Sequence, residues 1–163
     1  MARLVVVDAS PLIGLAAVQG LAWLPHLFGE VWMPPQVQHE VLSGPVTRGE
    51  DEIRAALSEG WLRVWVAAVP EAPLPDLDAG EAACIRIALA HGEAALLLMD
   101  ERAGRAVAVE SGLRVAGTAA VIGMAKARGL IPSARQVFAS LHGSDFRISA
   151  EVIRTILARV GEA

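Results

Sequence analysis

The sequence contains little of what several functional classes require. Its one cysteine, Cys84, can build neither a disulfide framework nor a cysteine zinc site, and we expect it to be buried in a protein of the reducing cytoplasm. Aromatic residues make up 4% of the chain and the formal net charge is −4, so no overall basic field favours nucleic acid. A role on nucleic acid would therefore need local arginines and a metal ion.

What is present is a hydrophobic chain of single-domain length. Hydrophobic residues make up 54% of the 163 residues, which excludes a disordered chain and predicts a single domain over 1–163. The stretch 9–29 has no charged residue and is long enough to cross a bilayer. Polar residues and a proline interrupt it and acidic residues flank it, which favours two buried helices. We therefore expect no membrane segment.

Apolar strands alternate with amphipathic helices along the chain. The predicted strands are 3–7, 31–33, 61–69, 94–99 and 113–116. The predicted helices are 11–18, 21–28, 36–42, 78–90 and 102–110, and three more begin at Thr118, Ser133 and Ser149. Ser10 is the expected cap of the first helix. A further helix is predicted to end at about Gly60, and the spacing from Thr47 to Glu50 marks its start as a capping box. Strands that alternate with helices predict an α/β fold of three layers around a parallel sheet. No glycine-rich phosphate loop follows a strand, which argues against a dinucleotide site.

Two uninterrupted apolar runs each end on an aspartate, Asp8 after residues 4–7 and Asp100 after residues 96–99. Such runs are typical of strands buried on both faces, and ligands of parallel sheets bind beyond the carboxyl ends of the strands. Two anions placed there repel each other unless a cation lies between them. The runs therefore predict a divalent metal site, and all-oxygen ligation suits Mg²⁺ or Mn²⁺. The alternative is that the aspartates are a turn residue and a helix cap.

Two glutamates are further candidates for the same site. Glu40 lies beside the apolar face that Val37 and Val41 define, where an ordinary solvated glutamate is equally consistent. Glu81 follows Asp78 by three residues, the spacing of a capping box, so the start of a helix alone would account for it. Asp78 is then the cap and at most a supporting residue of the site.

Five short segments follow one another in a characteristic order. They are Val7-Asp8-Ala9-Ser10-Pro11-Leu12-Ile13, Met33-Pro34-Pro35-Gln36-Val37 with Glu40-Val41, Leu77-Asp78-Ala79-Gly80-Glu81-Ala82-Ala83, Leu98-Met99-Asp100-Glu101-Arg102, and Gly129-Leu130-Ile131-Pro132. Their order and spacing, over nearly the whole chain, resemble the PIN-domain nucleases, specifically the prokaryotic toxin-like subgroup similar to VapC. The resemblance implies a five-stranded parallel sheet. It also implies a site in which Asp8, Glu40, Glu81 and Asp100 hold one or two Mg²⁺ or Mn²⁺ ions.

The resemblance implies roles for neighbouring residues as well. Ser10 matches the small hydroxyl residue that steadies the first aspartate of the family. Glu101 stands where an aspartate is common, so it would support Asp100 or compete with it. Glu81 stands where many VapC-like toxins have aspartate, and its longer side chain departs from that pattern.

The residues and the resemblance together predict a metal-dependent ribonuclease. No serine, cysteine or histidine has neighbours that suggest a covalent nucleophile, so the expected attacking group is metal-activated water. Arg102 and Arg105, three residues apart on one helical face, are candidates for phosphate contacts, with a solvated surface as the alternative. The rival predictions are a catalytically silent PIN fold with a binding or regulatory role and a phosphatase-like phosphotransfer domain. The last is disfavoured because Ser10 stands where such phosphatases have a second aspartate.

The expected partners follow from the same resemblance. The subgroup implies an RNA substrate, a cytoplasmic toxin that pairs with an antitoxin, and a homodimer. Trp61 and Trp65, near a predicted edge strand, would belong either to an interface or to the core.

Overall fold

The computed structural model describes residues 4–43 and 49–163. Five parallel strands form its sheet in the order β3-β2-β1-β4-β5. They are β1 (Leu4–Val7), β2 (Val31–Met33), β3 (Leu62–Val64), β4 (Ala95–Leu98) and β5 (Arg114–Ala116). The predicted parallel α/β fold is confirmed.

The two apolar runs of the sequence form the centre of the sheet. β1 and β4 pair directly, with Val7 opposite Leu98, and β1 is buried along its whole length. The Asp8 N–H donates to the Leu98 carbonyl at 3.0 Å, which extends the pairing by one step. Because the strands are parallel and in register, the residues that follow them emerge at the same edge.

Helices pack around this sheet in two groups. The helices are α1 (Ala9–Ala17), α2 (Trp23–Phe28), α3 (Pro35–Leu42), α4 (Glu50–Glu59), α5 (Ala79–His91), α6 (Arg102–Glu110), α7 (Thr118–Ala127), α8 (Ala134–His142) and α9 (Ala150–Arg159), with one 3₁₀ turn at Gly92–Ala94. α5 packs on β1 and β4 and contacts α6, which packs on β5, while α7 contacts α1 and α2. The strand order reverses direction at β1, so right-handed crossovers place the helices on both faces. α7, α8 and α9 share a second hydrophobic cluster around Ile122 and Phe138.

Several predicted boundaries differ from the structure. α1 begins at Ala9, so Asp8 occupies the cap position and Ser10 lies inside the first turn, where proline is also tolerated. The predicted strand 61–69 is reduced to β3, because β3 is an edge strand and the chain leaves the sheet after Trp65 donates to the Met33 carbonyl. The predicted capping box at Thr47 lies outside the described residues.

The uncharged stretch 9–29 forms α1 and α2. Leu12, Leu15 and Leu24 are fully buried, which accounts for the lack of charge without a bilayer. In the described part of the chain, no helix combines the length and the hydrophobicity needed to cross a membrane. Cys84 is also fully buried, with its Sγ 3.6 Å from the Val7 carbonyl oxygen.

Candidate active site

Six carboxylates gather at the edge of the sheet where β1 and β4 end. We call them the acidic cluster: Asp8, Glu40, Asp78, Glu81, Asp100 and Glu101. Asp8 follows β1 and Asp100 follows β4, while α5 and α3 contribute Glu81 and Glu40. The pKa values of Asp8 and Glu81 are both raised, first by burial and then by the charges of neighbouring carboxylates of the cluster.

Asp8 lies at the centre of the acidic cluster. It is 4% exposed, and its side chain makes no hydrogen bond that would cap α1. Its pKa is raised from 3.8 to about 6, chiefly by burial. A hydrogen bond from the Ala9 amide acts to lower the pKa, and the charges of Asp78, Glu40 and Asp100 add to the rise. A capping role therefore does not account for Asp8.

Glu81 is the second buried carboxylate of the cluster, with 6% exposure. Burial, a hydrogen bond to the Asp78 side chain and the charges of Asp78, Asp8 and Glu101 raise its pKa from 4.5 to about 7. Asp78 caps α5 as predicted, because its Oδ1 accepts the Glu81 N–H at 2.8 Å. The Glu81 carboxyl group lies against Gly104 of α6, where an added Cβ would be 3.0 Å from Glu81 Oε2. The helix cap is thus made by Asp78 and by the backbone of Glu81, and the Glu81 side chain is turned toward the cluster.

Gly80 allows the start of α5 to approach Asp8 closely. A Cβ at this position would lie 3.3 Å from Asp8 Oδ1 and 3.3 Å from a methyl group of Val37 on α3. Both distances are tighter than most Cβ contacts, so even an added Cβ would require the Asp8 carboxylate and the Val37 side chain to shift by a few tenths of an ångström. In the sequence, Gly80 was recognised only as part of a segment that resembles the family.

Asp100 is fixed by a residue that sequence reasoning missed. The Thr118 N–H donates to Asp100 Oδ1 at 2.8 Å, and the Thr118 hydroxyl donates to Asp100 Oδ2 at 2.8 Å. Thr118 is fully buried and begins α7 directly after β5. Asp100 does not cap α6, since Glu101 occupies that position. The available signal was the position of Gly117-Thr118 at the end of a neighbouring strand, where the backbone comes to the same edge as Asp8 and Asp100.

Glu40 lies on the exposed rim of the acidic cluster. Partial burial and the charge of Asp78 raise its pKa, and its own charge raises the pKa of Asp8. The structure therefore places Glu40 on the side of α3 that faces the cluster. His39, the residue before it, is exposed as well.

The predicted supporting residues separate into two groups. Ser10, Glu101 and Arg105 line the same cavity as Asp100, whereas Arg102 is exposed and does not line it. Among the described contacts, no hydrogen bond joins the side chains of Ser10 and Asp8, so the predicted steadying role of Ser10 stays a prediction.

Trp61 and Trp65 are both partly buried against the main core. The Trp65 ring lies edge-on to Trp32 at 5.3 Å and to His91 at 5.1 Å. These contacts favour a core role for Trp65 over the interface alternative.

The donor chemistry of the acidic cluster fits a hard divalent cation. Carboxylate oxygens are the ligands that Mg²⁺ and Mn²⁺ prefer. Burial and, to a smaller extent, neighbouring carboxylates raise the pKa values of Asp8 and Glu81, and a bound cation would relieve both effects. Within residues 4–43 and 49–163, ion pairs form at Arg54–Glu50 and Arg63–Glu30, and none involves the cluster. In the same ranges, no three Asp, Glu, His or Cys side chains already lie in position to hold one ion. Binding would therefore require side-chain rotation.

The fold and the site define an α/β protein with a cluster of carboxylates beyond the central strands of its sheet. The family model DUF3368, described as a PIN domain, matches residues 4–162. The chain therefore belongs to this family of PIN domains, which are in general nucleases. No curated protein and no solved structure gave a significant match.

Proposed function

We propose that the protein is a metal-dependent endoribonuclease that hydrolyses phosphodiester bonds of RNA. Asp8, Glu40, Glu81 and Asp100 would hold one or two Mg²⁺ or Mn²⁺ ions. The observation that carries the proposal is the convergence of uncompensated carboxylates, with the pKa of Asp8 near 6 and that of Glu81 near 7. A cluster kept only for stability would not bury carboxylates without a partner of opposite charge.

The residues of the cluster differ in what they can contribute. A bound Mg²⁺ or Mn²⁺ would supply an activated water and charge neutralisation at the phosphate. A carboxylate whose pKa lies close to neutral pH is suited to accept a proton, so Asp8 and Glu81 are candidates for the general base. Asp100 is held in one orientation by Thr118, which suits a group that must keep its position.

The experiment is an RNA cleavage assay with 5′-labelled and 3′-labelled substrates. We expect cleavage with Mg²⁺ or Mn²⁺, loss of cleavage with excess EDTA, and loss of cleavage in Asp8→Asn. Fragments seen with both labels would identify internal cuts. A folded wild-type protein that binds RNA and never cleaves it would instead favour the silent PIN fold.

The assay also tests the phosphatase-like alternative. Hydrolysis of a simple phosphomonoester, without cleavage of RNA, would favour that function. We do not prefer it, because Ser10 replaces the second aspartate that its mechanism requires and lies within the first turn of α1.

The toxin role is proposed from the family resemblance. It includes an antitoxin that covers the acidic cluster, a homodimer and a cytoplasmic location. Growth arrest on expression, relieved by Asp8→Asn, would support the toxin role, and light scattering would report the oligomeric state.

A further inference from the structure

A groove leads from the acidic cluster toward the C-terminal helices. It encloses about 950 Å³ and is bounded on one side by Asp100, Arg105 and Gly117. On the other side lie the segment that joins α8 to α9 and one face of α9, including Phe146, Arg147 and Arg159. We call this space the C-terminal groove. Of the acidic cluster, Asp100 and Glu101 line it, and it extends from them to α9, so it is larger than a metal site needs.

The outer wall of the C-terminal groove is held in place by specific contacts. The Phe146 ring packs on Gly14 of α1, where an added Cβ would lie 2.8 Å from Phe146 Cε2. The Ser149 hydroxyl accepts the Val152 N–H and so caps α9. After α9, the Glu162 carboxylate accepts the Ser133 hydroxyl at 2.7 Å and amide hydrogens at the start of α8. α9 is therefore capped at its start and tied to α8 just after its end.

Three guanidinium groups line the C-terminal groove without a carboxylate partner. Arg105 Nη1 donates to the Met99 carbonyl at 2.9 Å, and Arg147 Nη1 donates to the His142 carbonyl at 3.1 Å. A neutral carbonyl orients a guanidinium group without forming an ion pair with it, and further N–H donors stay available. In the described ranges, neither these two nor Arg159 forms an ion pair.

Acidic side chains line the C-terminal groove as well. Beyond Asp100 and Glu101 they are Asp145 and Glu151, both exposed to solvent. The arginines therefore do not create a broad basic field. They offer separate contacts for anionic groups spaced along a chain.

We propose that the C-terminal groove binds a single strand of RNA, whose phosphates contact Arg105 beside the acidic cluster and Arg147 and Arg159 farther along. The inference rests on the proposed ribonuclease function, since the groove ends at the cluster. A volume of about 950 Å³ is at the upper end for small-ligand pockets and suits a few nucleotides. Sites for single strands combine a groove with cations that follow the backbone. We expect a single strand to be preferred to a duplex, because an isolated strand can follow cations that are spaced along one groove.

The chain offers matched controls for the cations of the groove. Arg154 and Arg159 are both exposed on α9, and Arg159 lines the groove whereas Arg154 does not. Arg102 and Arg105 form a similar pair on α6. Each pair removes the same charge from the same helix, so general electrostatics changes equally. In the α9 pair only the groove contact differs, whereas Arg105→Ala also removes the hydrogen bond to the Met99 carbonyl, so the comparison of Arg159 with Arg154 is the cleaner one.

The test measures binding of a fluorescently labelled single-stranded RNA of about ten nucleotides by anisotropy. It is done with wild type in EDTA and with Asp8→Asn in Mg²⁺, so that cleavage does not interfere. We expect Arg147→Ala and Arg159→Ala each to weaken binding about fivefold, the size of one exposed ion pair. The slope of log K against log salt should shrink by about 0.7 for each lost phosphate contact. Arg154→Ala should bind like wild type, and a hairpin duplex should bind more weakly than the single strand.

The outcomes separate this inference from the ribonuclease proposal. Three results would each overturn the groove assignment, even where wild type cleaves RNA. Arg154→Ala and Arg159→Ala could weaken binding equally, single strand and duplex could bind equally, or the single strand could fail to bind in either condition. Conversely, a wild type that never cleaves RNA, but shows the Arg159–Arg154 difference in binding, would refute the nuclease proposal and leave the groove as an RNA site. Thermal midpoints of all variants exclude misfolding as the cause.

Discussion

At the scale of single residues, the two aspartates that follow β1 and β4 have opposite surroundings. Asp8 is buried, and its neighbours are other carboxylates. Asp100 has both oxygens occupied by hydrogen bonds from Thr118. Removing a charge should therefore have different effects on folding at the two positions, although both residues belong to the proposed site.

Replacement of Asp8 should stabilise the metal-free protein. Asp8→Asn removes a buried charge and its repulsion by Asp78, Glu40 and Asp100, so we expect the free energy of unfolding at pH 8 in EDTA to rise by about 1–2 kcal/mol. RNA cleavage should be lost at the same time. Urea unfolding and the cleavage assay measure the two effects. A variant that loses activity because it is less stable would show that Asp8 is structural.

Thr118 should be required to position Asp100. Thr118→Val keeps the shape of a fully buried side chain but removes the hydroxyl donor, so we expect a loss of about 1–2 kcal/mol in stability and a fall in kcat. Thr118→Ser keeps the donor and should retain most of the cleavage activity. If Ser and Val variants of equal stability cleave equally slowly, the hydroxyl does not act through Asp100.

The variant Glu81→Gln distinguishes between two roles of the Glu81 side chain, a metal ligand and a part of the helix cap. The cap is the bond from the Glu81 N–H to Asp78 Oδ1, which Glu81→Gln leaves in place. We expect this variant to fold normally, while its Mn²⁺ affinity and its cleavage rate fall because one charge is lost. The control, Asp78→Ala, removes the cap, a loss of about 1 kcal/mol of stability that is partly offset because its charge no longer repels Asp8, Glu40 and Glu81. Wild-type cleavage by Glu81→Gln at limiting metal would leave Asp8, Glu40 and Asp100 as the site.

The sequence predicted the site unevenly, and the reasons are physical. Asp8 and Asp100 could be found because each ends a long apolar run, a signal carried by adjacent residues. Glu40 and Glu81 lie on helices whose local pattern is the same for a solvated or capping residue, so the family resemblance was needed to select them. Thr118 was missed because its partner is 18 residues earlier in the chain and a threonine at a helix start is ordinary.

At the scale of elements, the long periodic segments were predicted well, and the residues at which elements begin and end were predicted less well. The pattern identified all five strands, because buried parallel strands are nearly continuous apolar runs. β3 was predicted too long, since an edge strand pairs on one side and its length depends on the neighbour that it meets. The start of α1 was predicted two residues late, because Ser10-Pro11 has the local signature of a cap, whereas pairing between β1 and β4 ends at Asp8.

The contact between α5 and α6 should control the position of Glu81. In Gly104→Ala, the added Cβ would lie 2.7 Å from Met99 Sδ and 3.0 Å from Glu81 Oε2. Alanine favours a helix by about 1 kcal/mol over glycine, so the change in stability should be small if Met99 can move. We expect cleavage to fall more than stability, because Glu81 must turn away. A variant with wild-type cleavage and wild-type Mn²⁺ affinity would contradict this account.

At the scale of the whole molecule, the fold brings together residues that are far apart in sequence. The strand order places the ends of β1, β4 and β5 side by side, so Asp8, Asp100 and Thr118 meet although more than 100 residues separate the first from the last. The chain has a net charge of −4, and part of that excess is concentrated in the acidic cluster. The electrostatic cost of the acidic cluster should therefore lower the free energy of unfolding of the whole protein.

The metal-free protein should become less stable as the pH rises from about 4 to about 7. Folding raises the pKa of Asp8 from 3.8 to about 6 and that of Glu81 from 4.5 to about 7. In this window the folded state binds more protons than the unfolded state, so the free energy of unfolding falls with pH, by about 2–3 kcal/mol for Asp8. Urea unfolding in EDTA across pH 4–8 measures this fall in the free energy of unfolding. Asp8→Asn is the control, and its decline should be smaller.

Added Mn²⁺ should stabilise wild type more at pH 8 than at pH 5, because protons compete with the metal for the same oxygens. Parallel pH profiles of wild type and Asp8→Asn, with equal Mn²⁺ effects at both pH values, would show that the acidic cluster is neither strained nor the metal site.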